Sequence, residues 1–247
     1  MLSKTTLQAK LKKKSKELGA DMFGAADLTD AKVESFIRQQ GGDYLKKFPR
    51  AISIGIRLLD AIVDGLNRHE DPSVAFTYLA LYNTVNSRLD HITLLLAKMI
   101  QDKGYSAYPI SATQPIVNNN LFGVISHKLV GSLAGLGWIG KSCLLVTPDY
   151  GPRVRWATIL TDAPLKTGSS MDIKCGSCTK CVDICPAKAF TGVPFNPSEP
   201  RDARFKAHLC YDYSKRREEK LGAKLCGLCV YVCPYGKQPK TNSSIHL

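Results

Sequence analysis

Eight of the nine cysteines in this 247-residue chain fall between positions 175 and 233. They are Cys175, Cys178, Cys181, Cys185, Cys210, Cys226, Cys229 and Cys233, while Cys143 stands apart in an apolar run. Such crowding means either disulfides or metal ligation. Disulfides serve small secreted domains that cannot build a core of their own. Here hydrophobic residues make up 44% and charged residues 22%, an ordinary globular balance. The basic opening stretch, residues 1–19, has no apolar segment or cleavage site of a secretory leader and reads as part of the mature fold. No apolar run approaches the roughly 18–20 residues that span a bilayer. The expectation is a cytoplasmic, non-membrane chain whose thiols bind metal.

The spacing narrows the metal. Cys175-Gly-Ser-Cys178-Thr-Lys-Cys181-Val-Asp-Ile-Cys185-Pro186 is C-x₂-C-x₂-C-x₃-C-P, the run by which two-cluster ferredoxins hold [4Fe–4S] cubes. Three cysteines at two-residue gaps wrap one cube, and the fourth, before proline, points to the other. The second half keeps only Cys226-Gly-Leu-Cys229-Val-Tyr-Val-Cys233-Pro234, so one ligand must come from elsewhere, and Cys210 is the free cysteine nearby. The expected sets are crossed: Cys175, Cys178, Cys181 and Cys233 on one cluster, with Cys185, Cys210, Cys226 and Cys229 on the other. A structural zinc site shares C-x₂-C but does not explain the longer run and its echo. Cys143 reads as a small buried hydrophobe.

Upstream, periodicity predicts a mixed fold. An amphipathic helix runs from Thr5 to Leu18, a strand from Met22 to Leu28, and a helix starts near Ala31. Residues 51–59 read as a buried strand. Pro72 opens a helix reaching about Lys103, with Tyr78, Val85, Leu89, Ile92 and Leu96 on its core face. A short helix (His127–Ala134) and strands at 143–147 and 153–160 follow. Beyond Pro164 the pattern dissolves into cysteine-punctuated loops, which places a boundary between residues 1–168 and 169–247 of an α+β chain.

Gly135-Leu-Gly137-Trp-Ile-Gly140 fits G-x-G-x-x-G, with Asp162 about twenty residues on. A dinucleotide fingerprint must follow a strand and open a helix. Here a helix precedes and a strand follows, so the motif is refused as a nicotinamide site. A tight turn against a large flat ligand is the better reading.

The stretch Ala134-Gly-Leu-Gly-Trp-Ile-Gly-Lys141, then T-P-D-Y-G-P-R-V-R (Thr147–Arg155), L-T-D-A-P-L (Leu160–Leu165) and the cysteine run, resembles the epoxyqueuosine reductase and reductive dehalogenase superfamily. The resemblance is strong over roughly Gly123 to Tyr235. It implies a nitroreductase-like domain holding cobalamin base-off, followed by a ferredoxin-like two-cluster domain. Electrons would pass from a low-potential donor, such as ferredoxin or flavodoxin, through the clusters to the corrinoid, which reduces a small-molecule substrate. Gly135, Gly137, Trp138, Gly140, Lys141 and Arg153 would border the cofactor. The chain departs from the reductases in lacking any Asp or Glu between Gly104 and Ser126, where their acidic proton donor lies, and in lacking a C-terminal helical-repeat extension. The dehalogenases use a tyrosine with a basic neighbour; Tyr105, Tyr108, Tyr150 and Lys128, with His127, are the residues available. A formal charge of +13 reads first as a solvated surface with a lysine-rich first helix; it could also recruit an acidic donor protein or tRNA, though the missing carboxylate argues against tRNA. The reading is an iron–sulfur, cobalamin-dependent oxidoreductase. Its alternatives are a non-catalytic electron carrier and a divergent epoxyqueuosine reductase acting on tRNA.

Overall fold

The first helix, α1 (Lys4–Glu17), buries Leu7 and Leu11 and leaves Lys10, Lys12, Lys13 and Lys16 exposed. A computed structural model describes residues 4–29, 43–114, 121 and 123–237 of the chain, so the helix expected from Ala31 lies outside the described residues. Strands β1 (Met22–Asp27) and β2 (Arg50–Arg57) follow. Next come α2 (Asp60–Asp64), α3 (Pro72–Gln101), β3 (Ala107–Ile110), α4 (His127–Leu133), β4 (Trp138–Ile139), β5 (Leu145–Val146) and β6 (Val154–Thr161).

One antiparallel sheet has the order β1-β2-β6-β3. Its central strands β2 and β6 are buried almost end to end, and both faces are covered. That is why they read as continuous apolar runs and not as alternation. On one face Ile52, Ile54 and Ile56 meet Leu89, Ile92 and Leu96 of α3 and Leu11 of α1. Truncating one of these fully buried side chains to alanine should cost roughly 2–5 kcal/mol. The other face carries Ala26, Ala51 and Leu160 against Val130 and Ala134 at the end of α4. Small residues let α4 lie close: a Cβ on Gly24 would sit 3.0 Å from that of Ala134, and one on Gly131 2.3 Å from Leu145 Cδ2.

Helix α3 begins where its sequence says it should. Asp71 accepts from Ser73 N at 2.9 Å, and Pro72 occupies the first turn. Residues 143–147 are less extended than expected. Cys143 has φ +54, and only Leu145–Val146 pair, with β4.

Past Thr161 the chain returns over the sheet, with Gly168 N donating to Ala25 O at 2.8 Å. The cysteine region contains α5 (Lys180–Asp183), α6 (Ala207–Leu221) and α7 (Leu228–Tyr231). Helix α6 was not legible in the sequence, where this region reads as loops. It closes on Gly222 in the left-handed region (φ +70), whose N–H donates to Glu218 O. Buried Arg217 fastens it to the segment before α3 through His69 O at 2.8 Å and Glu70 Oε1 at 3.1 Å. Among the described residues no helix is long and apolar enough to cross a membrane.

Candidate functional site

Cys175, Cys178, Cys181 and Cys233 surround one small cavity of about 250 Å³. Burial first, then the neighbouring Cys233, Cys175 and Cys178, push the Cys181 thiol up to about 11. Cys185, Cys210, Cys226 and Cys229 form a second group. Burial, followed by Cys185 and Cys226, raises Cys210 to about 11, and burial followed by Cys226, Cys210 and Cys185 drives Cys229 higher still. Crowded, desolvated thiols resist ionisation unless a cation core takes their charge. The arrangement therefore suits anionic sulfur ligands around positive iron. The elements explain the grouping. A turn closed by Cys178 N to Cys175 O at 3.0 Å presents the first thiols. The start of α6 carries Cys210, and α7 carries Cys229. Ala189 N also donates to Cys185 Sγ at 3.4 Å.

The glycine motif runs from the end of α4 through β4 to the turn before β5, so a helix precedes it and strand follows, the reverse of a dinucleotide fingerprint. What its glycines approach is this chain itself. A Cβ on Gly137 would lie 2.2 Å from Val146 O; one on Gly135 (φ +73) would lie 2.8 Å from Ser169 O. One on Gly140 would lie 2.9 Å from Val146 Cγ2 and 3.4 Å from Cys175 Sγ. Trp138 is fully buried, its ring 4.8 Å from that of Tyr235 in an edge contact. Lys141 Nζ donates to Gly176 O at 2.8 Å and Cys178 O at 3.2 Å. Arg153 pairs with Asp60 and Asp64 and packs beside Gly236. These six residues were expected beside a corrinoid. The contacts seen here run to β5, α2, Tyr235 and the first thiol loop, with backbone of Val146 and Ser169 filling the space beside Gly137 and Gly135.

The larger cavity, about 420 Å³, opens where α4, the β5–β6 connection and the segment before α6 meet. Leu144, Leu145, Trp156 and Phe205 give it apolar walls. Its polar lining includes His127, Lys128, Arg155, Arg201 and Arg204, and no Asp or Glu among the described lining residues. Both ring nitrogens of His127 have partners, Thr158 Oγ1 at 2.8 Å on Nδ1 and Ser111 O at 2.9 Å on Nε2. Desolvation pushes the imidazole down to about 4, so it is neutral at pH 7. Desolvation, aided by Arg201 and Arg204, also lowers Lys128 from the ordinary lysine range. Arg155 is held by Asn86 Oδ1 and Tyr82 OH, both at 3.0 Å, and Arg204 donates to Asn196 O at 3.0 Å over the Phe195 ring.

Cys143 lines this cavity and belongs to the same buried cluster as Cys185, against which Cys210 and Cys229 also pack, so the cavity wall and the second thiol group share one apolar cluster. Of the four candidate proton donors only Lys128 faces the cavity. Tyr105 packs on the main core, Tyr108 stacks near Tyr44 and Phe48 on the sheet edge, and Tyr150 lies under Arg57. Arg201 and Arg204 were missed, since two arginines in P-R-D-A-R form no motif and only the tertiary fold brings them to α4.

Residues 174–236 match the family model described as a 4Fe-4S double cluster binding domain. The chain is 34% identical over 134 residues to the epoxyqueuosine reductase of Lactococcus garvieae (strain Lg2), which covers 50% of this chain and 35% of that protein. It is 35% identical over 120 residues to that of Bacillus subtilis (strain 168), covering 47% and 30%. These matches thus span about a third of each relative's length. The fold is shared with an epoxyqueuosine reductase solved with an epoxyqueuosine-modified tRNA stem loop (TM-score 0.63, 18% identity, 95% of this chain and 66% of that one). It is shared as well with a reductive dehalogenase described in terms of B12-dependent dehalogenation (TM-score 0.69, 20% identity, 94% and 32%). Both agree with the expected α+β fold ending in a cluster domain.

Proposed function

We propose that this chain, which belongs to the superfamily of the epoxyqueuosine reductases and reductive dehalogenases, is a reductase that feeds electrons through two [4Fe–4S] clusters to a corrinoid in the 420 Å³ cavity. The observation that carries the reading is Cys143, which lines the cavity and shares a buried cluster with Cys185, Cys210 and Cys229. A cluster held by Cys185, Cys210, Cys226 and Cys229 would lie against the same apolar cluster that walls that space. The first group, beside Lys174 and Lys180, would receive electrons from a low-potential donor protein. The domain division at residues 168 and 169 is kept as part of this proposal.

The cavity residues suit the cofactor. Leu144, Leu145 and Trp156 offer flat apolar contact, and Ser126 and Arg155 offer polar contact to a rim of amides. When bound, a corrinoid supplies the reducing centre. The protein's own part is then to exclude water, orient the substrate and provide a proton. Lys128 Nζ holds that proton, because burial and the nearby Arg201 and Arg204 make its ammonium form a readier donor than an ordinary lysine. His127 positions the N-terminus of α4 through Ser111 and Thr158. A small substrate is favoured over tRNA because no Asp or Glu, for which Lys128 would stand in, is among the described lining residues.

Reconstitution under anaerobic conditions with iron, sulfide and hydroxocobalamin tests this reading. About eight irons, about one retained cobalt and a base-off Co(II) EPR signal support it. Full iron without cobalt retention leaves an electron carrier. A second reading, action on tRNA, draws on the +13 charge and the relative solved with a tRNA stem loop. Tight, steeply salt-dependent binding of epoxyqueuosine-containing tRNA would favour it.

A further inference from the structure

The loop from Lys166 to Thr179, which presents the first thiols, has no helix or strand of its own. The second group is better founded, with Cys210 on α6 and Cys229 on α7. Something outside the loop must hold the first thiols at cluster geometry, and the β4–β5 hairpin is the element that touches them. Gly140 brings its backbone against Cys175, whose Sγ is 3.4 Å from where a Cβ would stand. Trp138 meets the ring of Tyr235, two residues after Cys233, and Tyr235 OH donates to Lys174 O at 3.0 Å. Lys141 reaches across with bonds to Gly176 O and Cys178 O at 2.8 and 3.2 Å. Lys141 is 9% exposed, and the acceptors of its two hydrogen bonds are main-chain oxygens of the thiol loop.

We infer that the Gly135–Lys141 motif is the seat of the first [4Fe–4S] cluster, with Lys141 as its positioning residue: its ammonium group holds the Cys175–Cys178 loop and favours the reduced cluster. This rests on the two-cluster reading above and replaces the corrin-facing role that the sequence suggested for the motif. The physical argument has two parts. Two charge-assisted bonds to main-chain oxygens fix the loop more firmly than neutral ones would. Uptake of one electron from the external donor adds one negative charge to the cluster and its thiolates, so a fixed, poorly solvated positive charge nearby stabilises the product of reduction. The first cluster then takes the donor's electron more readily than it would unaided.

The test uses the reconstituted protein and three variants, titrated anaerobically with dithionite while EPR follows each cluster. Lys141→Gln keeps a donor and removes the charge. It is expected to retain iron but to lower the reduction equilibrium constant of one cluster about tenfold, a shift of about 59 mV for a one-electron couple. Lys141→Arg keeps the charge and should stay near the wild-type potential. Lys141→Met should show the shift together with partial loss of iron from the same cluster. If it fails to fold, the Gln and Arg variants decide the matter between them. Unchanged potentials in Gln, or equal shifts in both clusters, would overturn the inference while leaving the reading intact. Failure of the wild-type protein to take up about eight irons would instead sink the two-cluster reading.

Discussion

The Arg153 guanidinium, 2% exposed, donates to Asp64 Oδ1 at 2.6 Å, while Asp64 itself is 55% exposed. A second bond reaches Asp60 at 3.2 Å, and Gly236 packs flat beside the arginine side chain. One buried cation thus ties β6 to α2 and to the segment after Cys233. Removing both acids leaves that charge buried with less compensation than before. The double variant D60A/D64A should lose about 2–4 kcal/mol, below the full cost of orphaning a buried charge because solvent reaches the acids. R153M, which removes the charge too, should lose less. Urea midpoints of the reconstituted proteins give the order.

Serine substitution separates ligand thiols from the odd one. Cys210 sits at the start of α6 beside Cys185 and Cys226, so C210S should cost most of one cluster, bringing iron from about eight toward about four per chain. Cys143 belongs to the cavity wall. C143S should keep full iron and both EPR signals, with a modest stability loss for a hydroxyl placed in an apolar contact. Iron counting on the two proteins side by side checks both statements.

The same residues show how far the sequence could be read. The double-cluster domain was legible because most of its cysteines are neighbours in the chain, so their spacing records the loops that carry them. The central strands and α3 were legible because burial on both faces, or on one stripe, leaves an unbroken pattern. Helix α6 was not, since its buried face rests on Arg217, whose partners His69 and Glu70 lie far away in sequence. What the glycine turn approaches is not written in its letters. A missing Cβ says that something comes close, but whether that is a ligand or Val146 O and Ser169 O is decided by the tertiary fold. Arg201 and Arg204 reach the cavity only by that fold.

Acid should weaken the protein through His127. Its imidazole titrates at about 4 in the folded chain against 6.5 for an ordinary histidine, because burial disfavours the charged ring. As pH falls from 6.5 toward 4, the unfolded chain takes up a proton that the folded chain refuses. Stability contributed by the neutral ring is therefore present above 6.5 and lost across this window. H127Q, which cannot titrate, should show a shallower acid limb. The difference between wild-type and H127Q urea midpoints, followed from pH 7 to pH 4.5, isolates this one group.

Lys128 should act in the opposite part of the pH range. Desolvation, Arg201 and Arg204 lower its folded value from that of an ordinary lysine, while Cys143 and Cys229 pull it back. Below the folded value both states carry the proton, and the folded state bears the cost of a partly desolvated ammonium. As pH rises from there to the ordinary value, only the unfolded chain keeps the proton, so wild-type stability rises with pH. K128M removes both the cost and the slope. It should be more stable than wild type at pH 7, with the gap closing as the buffer becomes alkaline. The same substitution should abolish turnover with any accepted substrate while leaving both clusters reducible, if Lys128 supplies the proton. A K128M protein that is less stable at pH 7 would mean an anionic partner holds Lys128 in the charged form, and urea midpoints at pH 7, 8 and 9 distinguish the two.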